Sequence, residues 1–203
     1  MTGGDGDGDG DGDGDGDGDG DNRIRNVMVR STEIPAGSLL ADYQDRHPAY
    51  ADCFTVTTPV SADLPAFMRA FFDSPVFRLE RRVLAVIGFG PSTAEEVAAL
   101  AEGRSAAFTA WRVVERRENA GERDGEILLE FGPKDGPPRG CTWLQAACDA
   151  ADGATALRFG SGVRSGKGAR LSPLISATIP LHRFYSRQLL GSAERELRRR
   201  LSA

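Results

Sequence analysis

The clearest pattern along the chain is a helical spacing of apolar residues after Ser61. The apolar positions recur at intervals of three and four residues: Leu64, Phe67, Met68, Phe71 and Phe72. This spacing predicts an amphipathic helix with Ser61 as its N-cap and one broad face turned to a core. Before it, residues 53–58 are rich in β-favouring side chains and predict a strand that Pro59 ends.

Two further helices are predicted from their start signals. Ser74-Pro75 indicates a helix start because proline is favoured at the first helical position. The apolar positions that follow predict the buried stripe of this helix: Val76, Leu79, Val83 and Ile87. A third, short helix opens at residues 92–95, which fit a capping box, and closes at Gly103.

From residue 109 onward the apolar period changes to strict alternation, which is typical of strands. The alternation predicts a four-strand antiparallel meander over these segments: 109–115, 126–131, 141–148 and 154–163. Asp124-Gly125 and Asp152-Gly153 supply hairpin signals. In the last of these strands Leu157, Phe159 and Val163 share one face.

The order of elements predicts an α+β fold. Residues 24–30 add a short edge strand, and Ser172-Pro173 starts a long C-terminal helix. Helices and strands occur in separate runs, which favours an antiparallel sheet over a parallel one. We therefore predict an antiparallel sheet wrapped around the C-terminal helix, with a cavity between them.

The N-terminal tail changes how the composition is interpreted. From Gly3 to Asp21 the sequence alternates Asp and Gly without an apolar residue, so it cannot recover an ordering cost of about 1–2 kcal/mol per residue. We predict a disordered tail over 1–22 and one domain over 23–203. The tail holds nine of the 30 acidic residues, so the net charge of −5 becomes 25 minus 21, or +4, without it. That mild charge does not indicate a nucleic-acid binder.

Two patterns imitate binding motifs and fail on inspection, and the histidines form no metal motif. The Asp-Gly repeat matches the first half of an EF-hand loop, but the twelfth position, which must be Glu, never is. Residues 161–168 imitate a P-loop, yet Ser161 replaces a required glycine and Gly168 replaces the magnesium-binding Ser or Thr. Neither His47 nor His182 has a spaced metal partner. We predict neither metal nor cofactor.

Location signals point to a cytoplasmic protein. The sequence shows no signal peptide and no apolar run of about 20 residues that could span a bilayer. The three cysteines are Cys53, Cys141 and Cys148. Cys141 and Cys148 lie seven residues apart in one predicted strand and so on opposite faces, which disfavours a disulfide between them. We predict that the three cysteines are reduced and that the protein does not associate with membranes.

The C-terminal half resembles a known family. The resemblance rests mainly on Arg158-Phe159-Gly160, Leu171 to Leu174 and Leu181 to Arg187. Residues 66–88 and Trp111-Arg112-Val113 resemble the middle of the same family. Across roughly residues 40–200 they are similar to the uncharacterised bacterial family known as domain of unknown function 2867. That family looks like a distant relative of START-type (SRPBCC) helix-grip proteins. The resemblance implies a helix-grip fold, an apolar ligand and, from fusions in the family, an NAD(P)-dependent oxidoreductase as partner.

Six residues are candidates for a ligand site between sheet and helix. They are Trp111, Phe131, Trp143, Phe159, His182 and Tyr185, although aromatic residues of this kind are as often plain core. No motif places a serine or cysteine nucleophile near His182. We expect no catalytic residue, with His182 as the weak candidate because its ordinary pKa suits acid–base work.

Three hypotheses about function remain open at this point. The first is a protein without enzymatic activity that binds a small apolar molecule. The second is an enzyme of the same fold in which His182 assists proton transfer. The third is an accessory partner of a separately encoded oxidoreductase.

Overall fold

The computed structural model describes most of the chain from residue 28 onward. The described residues are 28–86, 92–118, 124–133, 136–148, 153–164, 171 and 173–202. The predicted tail over 1–22, residues 24–27 of the predicted edge strand and Ile87 lie outside them. Among the described helices, none combines the length and apolarity needed to cross a bilayer.

Within the described residues, seven strands form one sheet whose neighbours are all antiparallel. The strands are β1 (Arg30–Thr32), β2 (Tyr50–Thr58), β3 (Ala107–Phe108), β4 (Trp111–Glu118), β5 (Gly125–Phe131), β6 (Gly140–Cys148) and β7 (Thr155–Val163). Their order across the sheet is β1-β2-β7-β6-β5-β4-β3. The predicted meander is thus confirmed as β4 to β7, and β2 joins it by pairing with β7.

The first meander strand begins two residues later than predicted. Thr109 has a positive φ of 49°, a conformation that strands exclude. It lies in the turn between β4 and the two-residue strand β3, which the alternation did not reveal.

Five helices complete the described fold. They are α1 (Leu39–Arg46), α2 (Leu64–Phe72), α3 (Pro75–Leu84), α4 (Ala94–Ala101) and α5 (Pro173–Leu201). The N-cap of α2 is Asp63, whose Oδ1 accepts from the amide of Ala66 at 2.8 Å. The predicted cap, Ser61, contacts Cys148 Sγ instead. The capping box of α4 uses Thr93 and Glu96.

Helix α5 lies against one face of the sheet, which we call the inner face. Alternate side chains of the central strands point to it, including Phe54 of β2, Leu157 of β7 and Leu144 of β6. Helix α2 packs on the same side against α5, so that Phe67, Phe71 and other apolar residues fill most of the layer. The predicted α+β architecture, an antiparallel sheet with the long C-terminal helix held against it, is confirmed.

The opposite, outer face carries helix α1, which the sequence pattern did not reveal. Leu39, Leu40 and Tyr43 of α1 pack on Trp143 in a separate small core. Gly160 of β7 makes this close approach feasible. A Cβ atom there would lie 2.3 Å from Leu40 Cδ2, a distance that packed atoms do not tolerate.

Helix α3 presents a different face to the core from the one predicted. Phe77 is buried against Phe72 and Trp111, whereas Leu79 and Val83 of the predicted stripe are 62% and 53% exposed. The prediction failed because the aromatic cluster beside Trp111 holds Phe77, and this turns the neighbouring stripe to solvent.

Candidate functional site

A cavity of about 390 Å³ lies between the inner face of the sheet and helices α3 and α5. Its size falls within the ordinary range of small-molecule sites, about 300–1,000 Å³. Its apolar wall is largely aromatic: Phe71, Phe77, Trp111, Phe131, Phe159 and Leu189. Polar side chains also line it, among them Glu80, Ser161, His182 and Tyr185.

Pairs of rings from different elements build the apolar wall. Trp111 and Phe131 pair across β4 and β5 with centroids 5.3 Å apart. Phe159 of β7 and Phe71 of α2 lie 5.1 Å apart. The Trp111 indole donates from Nε1 to Thr142 Oγ1 at 3.1 Å, so the one polar atom of that ring is satisfied.

A serine of this lining links a buried carboxylate to the candidate histidine. The Ser161 hydroxyl donates to Asp52 Oδ1 at 2.7 Å. The same oxygen lies 2.7 Å from His182 Nε2. The Tyr50 hydroxyl donates to the other carboxylate oxygen, Oδ2, at 2.8 Å, and His182 Nε2 lies 3.7 Å from that oxygen. Strands β2 and β7 place Asp52 opposite Ser161, and α5 brings His182 to both.

The surroundings of Asp52 favour its ionised form. Burial alone would raise its pKa, but interactions with His182, Ser161 and Tyr50 outweigh burial and hold the pKa below its ordinary value. Burial and the bond to Asp52 in turn raise the pKa of Tyr50. Tyr50 therefore keeps its proton and serves Asp52 as a donor.

A second carboxylate, Glu80 of α3, behaves differently. Burial raises the pKa of Glu80, against opposing contributions from Tyr185 and His182. The Tyr185 hydroxyl donates to Glu80 Oε2, and burial together with this carboxylate raises the pKa of Tyr185. The site thus has two carboxyl groups with pKa values shifted in opposite directions: Glu80 lines the cavity, and Asp52 lies behind Ser161.

The structure brings together five of the six candidate residues. Those that line the cavity are Trp111, Phe131, Phe159, His182 and Tyr185. Trp143 does not line it and needs correction. It faces α1 on the outer side of the sheet, where its Nε1 donates to Glu126 Oε2 at 2.7 Å. Its register opposite Gly160 and Leu128 fixes that direction.

The sequence analysis did not identify these polar residues as part of the site: Asp52, Ser161 and Glu80. Ser161 has the same parity as Leu157, Phe159 and Val163, so the alternation already contained its direction. Asp52 alternates in the same way with Phe54 and Val56 on β2. No pattern indicated that Glu80 faces the cavity, because the apolar spacing assigned the buried face of α3 to other residues.

The P-loop imitation, the possible metal ligands and the cysteines form no binding site among the described residues. Within the P-loop imitation, Ser161 to Val163 belong to β7 and residues 165–168 lie outside the described part. Across the described ranges, no three metal-ligating side chains cluster. Cys53, Cys141 and Cys148 form no disulfide with one another. Burial raises the pKa of Cys53 to about 11 and that of Cys141 to about 12.

Comparisons with known proteins were made for sequence and for structure. No protein-family model matches the chain, so the similarity to domain of unknown function 2867 stays a prediction. No curated protein matches it in sequence either. One similar solved structure is that of Ara h 8.0201, at 10% identity and a TM-score of 0.32, covering 76% of this chain and 99% of that one. Another is CalU16 from Micromonospora echinospora, at 12% identity and a TM-score of 0.29, covering 85% and 92%.

Proposed function

We propose that the protein binds a small, largely apolar molecule that carries one polar group. The observation that supports this most strongly is the lining of the cavity, which combines aromatic side chains with the polar side chains of Ser161 and His182. A well-formed apolar pocket with a few convergent polar groups is the usual form of a ligand site. The ligand's apolar body would contact Phe131 and Phe159, and its polar group would meet the α5 side.

The size and lining of the cavity restrict the ligand class. At about 390 Å³ the space suits a bicyclic or short-chain molecule rather than a long lipid. Asp52 is ionised and already accepts two hydrogen bonds, so a ligand carboxylate beside it would meet charge repulsion. We therefore expect uncharged ligands, such as ketones, alcohols or phenols.

The proposal is tested by the fluorescence of N-phenyl-1-naphthylamine, an uncharged apolar probe. Leu189→Trp extends a side chain from α5 into the cavity and should lower probe affinity by about tenfold or more, since each lost 1.4 kcal/mol is a factor of ten. Leu181→Trp is the matched control, because Leu181 is on the same helix and 70% exposed. Equal binding by both variants, or none by the unmodified protein, would contradict the proposal.

A second candidate function is catalysis of proton transfer by His182. The contact of His182 Nε2 with Ser161, and through it with Asp52, specifically favours this alternative. A screen of isomerase and hydrolase substrates tests it, and activity unaffected by His182→Ala would count against it. An accessory role beside an oxidoreductase keeps only the support of the family resemblance, and co-purification with such an enzyme is its test.

Two wider expectations accompany the proposal. Residues 23–203 would form the single ligand-binding domain, preceded by the Asp-Gly tail over 1–22. The three reduced cysteines suit the reducing conditions of the cytoplasm, which we propose as the location.

A further inference from the structure

The hydrogen bonds of Ser161 determine which nitrogen of His182 carries a proton. A serine hydroxyl has a single proton, and Ser161 donates it to Asp52 Oδ1. The contact of 2.7 Å with His182 Nε2 is then a bond that the imidazole donates, and the more distant Ser186 oxygen, 3.4 Å from Nε2, can accept the same proton. In the neutral ring Nδ1 is consequently the acceptor. Nδ1 has no hydrogen-bond partner among the described residues, and the side chain is 37% exposed.

This arrangement does not activate Ser161 as a nucleophile. An activated serine gives its proton to a base, as in a Ser–His pair. Here Nε2 donates to the serine and cannot accept from it. The group that receives the proton is Asp52, a weak base because its pKa lies below the ordinary value. The cluster instead fixes the orientation of the His182 ring, because Nε2 donates to Ser161 and Ser161 donates to Asp52.

The hydroxyl group of Thr142, on β6 directly opposite Ser161 of β7, is a possible donor. Its oxygen accepts from Trp111 Nε1 at 3.1 Å, which leaves the hydroxyl proton without an acceptor among the described residues. Thr142 lines the same cavity as His182. A base and a free hydroxyl donor therefore border one space that is otherwise mostly apolar.

We propose that His182 removes and returns a proton on a ketone bound in the cavity, with an apolar body and an acidic C–H beside its carbonyl. Asp52 and Ser161 are positioning residues, and Thr142 donates to the carbonyl oxygen. This inference rests on the proposed function, because the ketone must first bind in the cavity.

The step balances without any other reactant. His182 Nδ1 takes the proton, the C–H electron pair forms the C=C bond of an enolate, and the carbonyl π pair moves to the oxygen. Return of the proton to the same carbon regenerates the ketone, and return to a conjugated carbon isomerises it. No oxidant, reductant or leaving group is needed.

Hydrogen–deuterium exchange of 2-tetralone in D₂O, followed by NMR, tests the inference. His182→Gln should lower the protein-dependent exchange rate by about 10²-fold or more, the ordinary contribution of a general base. His47→Gln is the matched control, since His47 is the other histidine and does not line the cavity. Added imidazole should restore exchange to His182→Gly.

The positioning role of Asp52 is tested by measuring the exchange rate and ligand affinity separately. Asp52→Asn should lower the exchange rate at saturating 2-tetralone, because Ser161 loses its charged acceptor and holds the His182 ring less firmly. Displacement of N-phenyl-1-naphthylamine by 2-tetralone should stay unchanged, because Asp52 is not among the residues that line the cavity. A merely structural role would lower rate and affinity together.

The outcomes separate the two proposals. If 2-tetralone displaces N-phenyl-1-naphthylamine but exchanges equally with the unmodified protein and His182→Gln, proton transfer is wrong and ligand binding stands. If neither compound binds, both proposals fail. Exchange that depends on His182 but not on His47 supports both.

Discussion

The two faces of the sheet each bury a tryptophan and a carboxylate, and the cavity of about 390 Å³ lies on the inner face. On the outer face Glu126 accepts from Trp143 Nε1 at 2.7 Å and from the amide of Leu39 at 3.0 Å. On the inner face Asp52 accepts from Ser161 and Tyr50, beside a space of about 390 Å³. The two faces use similar residue types. The partners of Glu126 lie inside a packed layer, whereas those of Asp52 lie beside the cavity.

This difference separates a structural use of a buried carboxylate from a functional one. Glu126 joins the sheet to the first turn of α1, so its bonds hold two elements together. Asp52 is tied through Ser161 to a half-buried histidine whose Nδ1 has no hydrogen-bond partner within the described part of the chain. Buried polar groups need partners in both cases. Only on the inner face does the chain of partners end at a space where a ligand fits.

The largest expected effect comes from the packed outer face. Trp143→Ala should lower the free energy of unfolding by about 3–5 kcal/mol, because it empties a filled core and removes one of the donors to Glu126. Urea denaturation measures the loss, and Trp143→Phe provides a milder variant that keeps a ring. Binding of N-phenyl-1-naphthylamine to the folded fraction should not change. A loss below about 1 kcal/mol would show that the outer face is not tightly packed.

A smaller effect is expected from a glycine on the same face. Gly160→Ala should cost about 1–3 kcal/mol, since the added methyl group would overlap Leu40 of α1. The cost should shrink when Leu40→Ala is present, because that change removes the first overlapping atom. A double-mutant cycle measures this coupling. Additive effects of the two substitutions would contradict the contact.

The contrast between the faces also explains how much the sequence could predict. Alternation in β7 and the spacing in α2 identified most of the inner apolar layer, because periodicity reports which residues share a face. It cannot report what covers each face. Since the three apolar residues of α1 gave too weak a pattern, the outer face had no predicted cover and Trp143 was placed in the cavity.

The polar site was predictable only in part. His182 and Tyr185 were identified because they lie on the C-terminal helix with ring side chains. Asp52 and Ser161 are more than a hundred positions apart in sequence. Only the register of β2 against β7, which alternation does not determine, brings them together.

The smallest expected effect is a pH dependence that comes from the inner face. The pKa of Asp52 is lowered in the folded protein, so its stabilising contribution is present above about pH 4, the ordinary pKa of Asp, and is lost as pH falls further. The stability difference between the unmodified protein and Asp52→Asn should therefore narrow below about pH 4. Thermal unfolding across this range measures it. A difference that stays constant with pH would rule out the assigned ionisation of Asp52.

The most direct test of the central claim is a crystal structure determined under xenon pressure. Xenon enters empty apolar cavities and does not enter packed cores. We predict a xenon atom between Phe131 and Phe159 on the inner face, and none beside Trp143 under α1. Absence of xenon from the inner cavity, or its presence under α1, would contradict the assignment of a hollow inner face and a filled outer one.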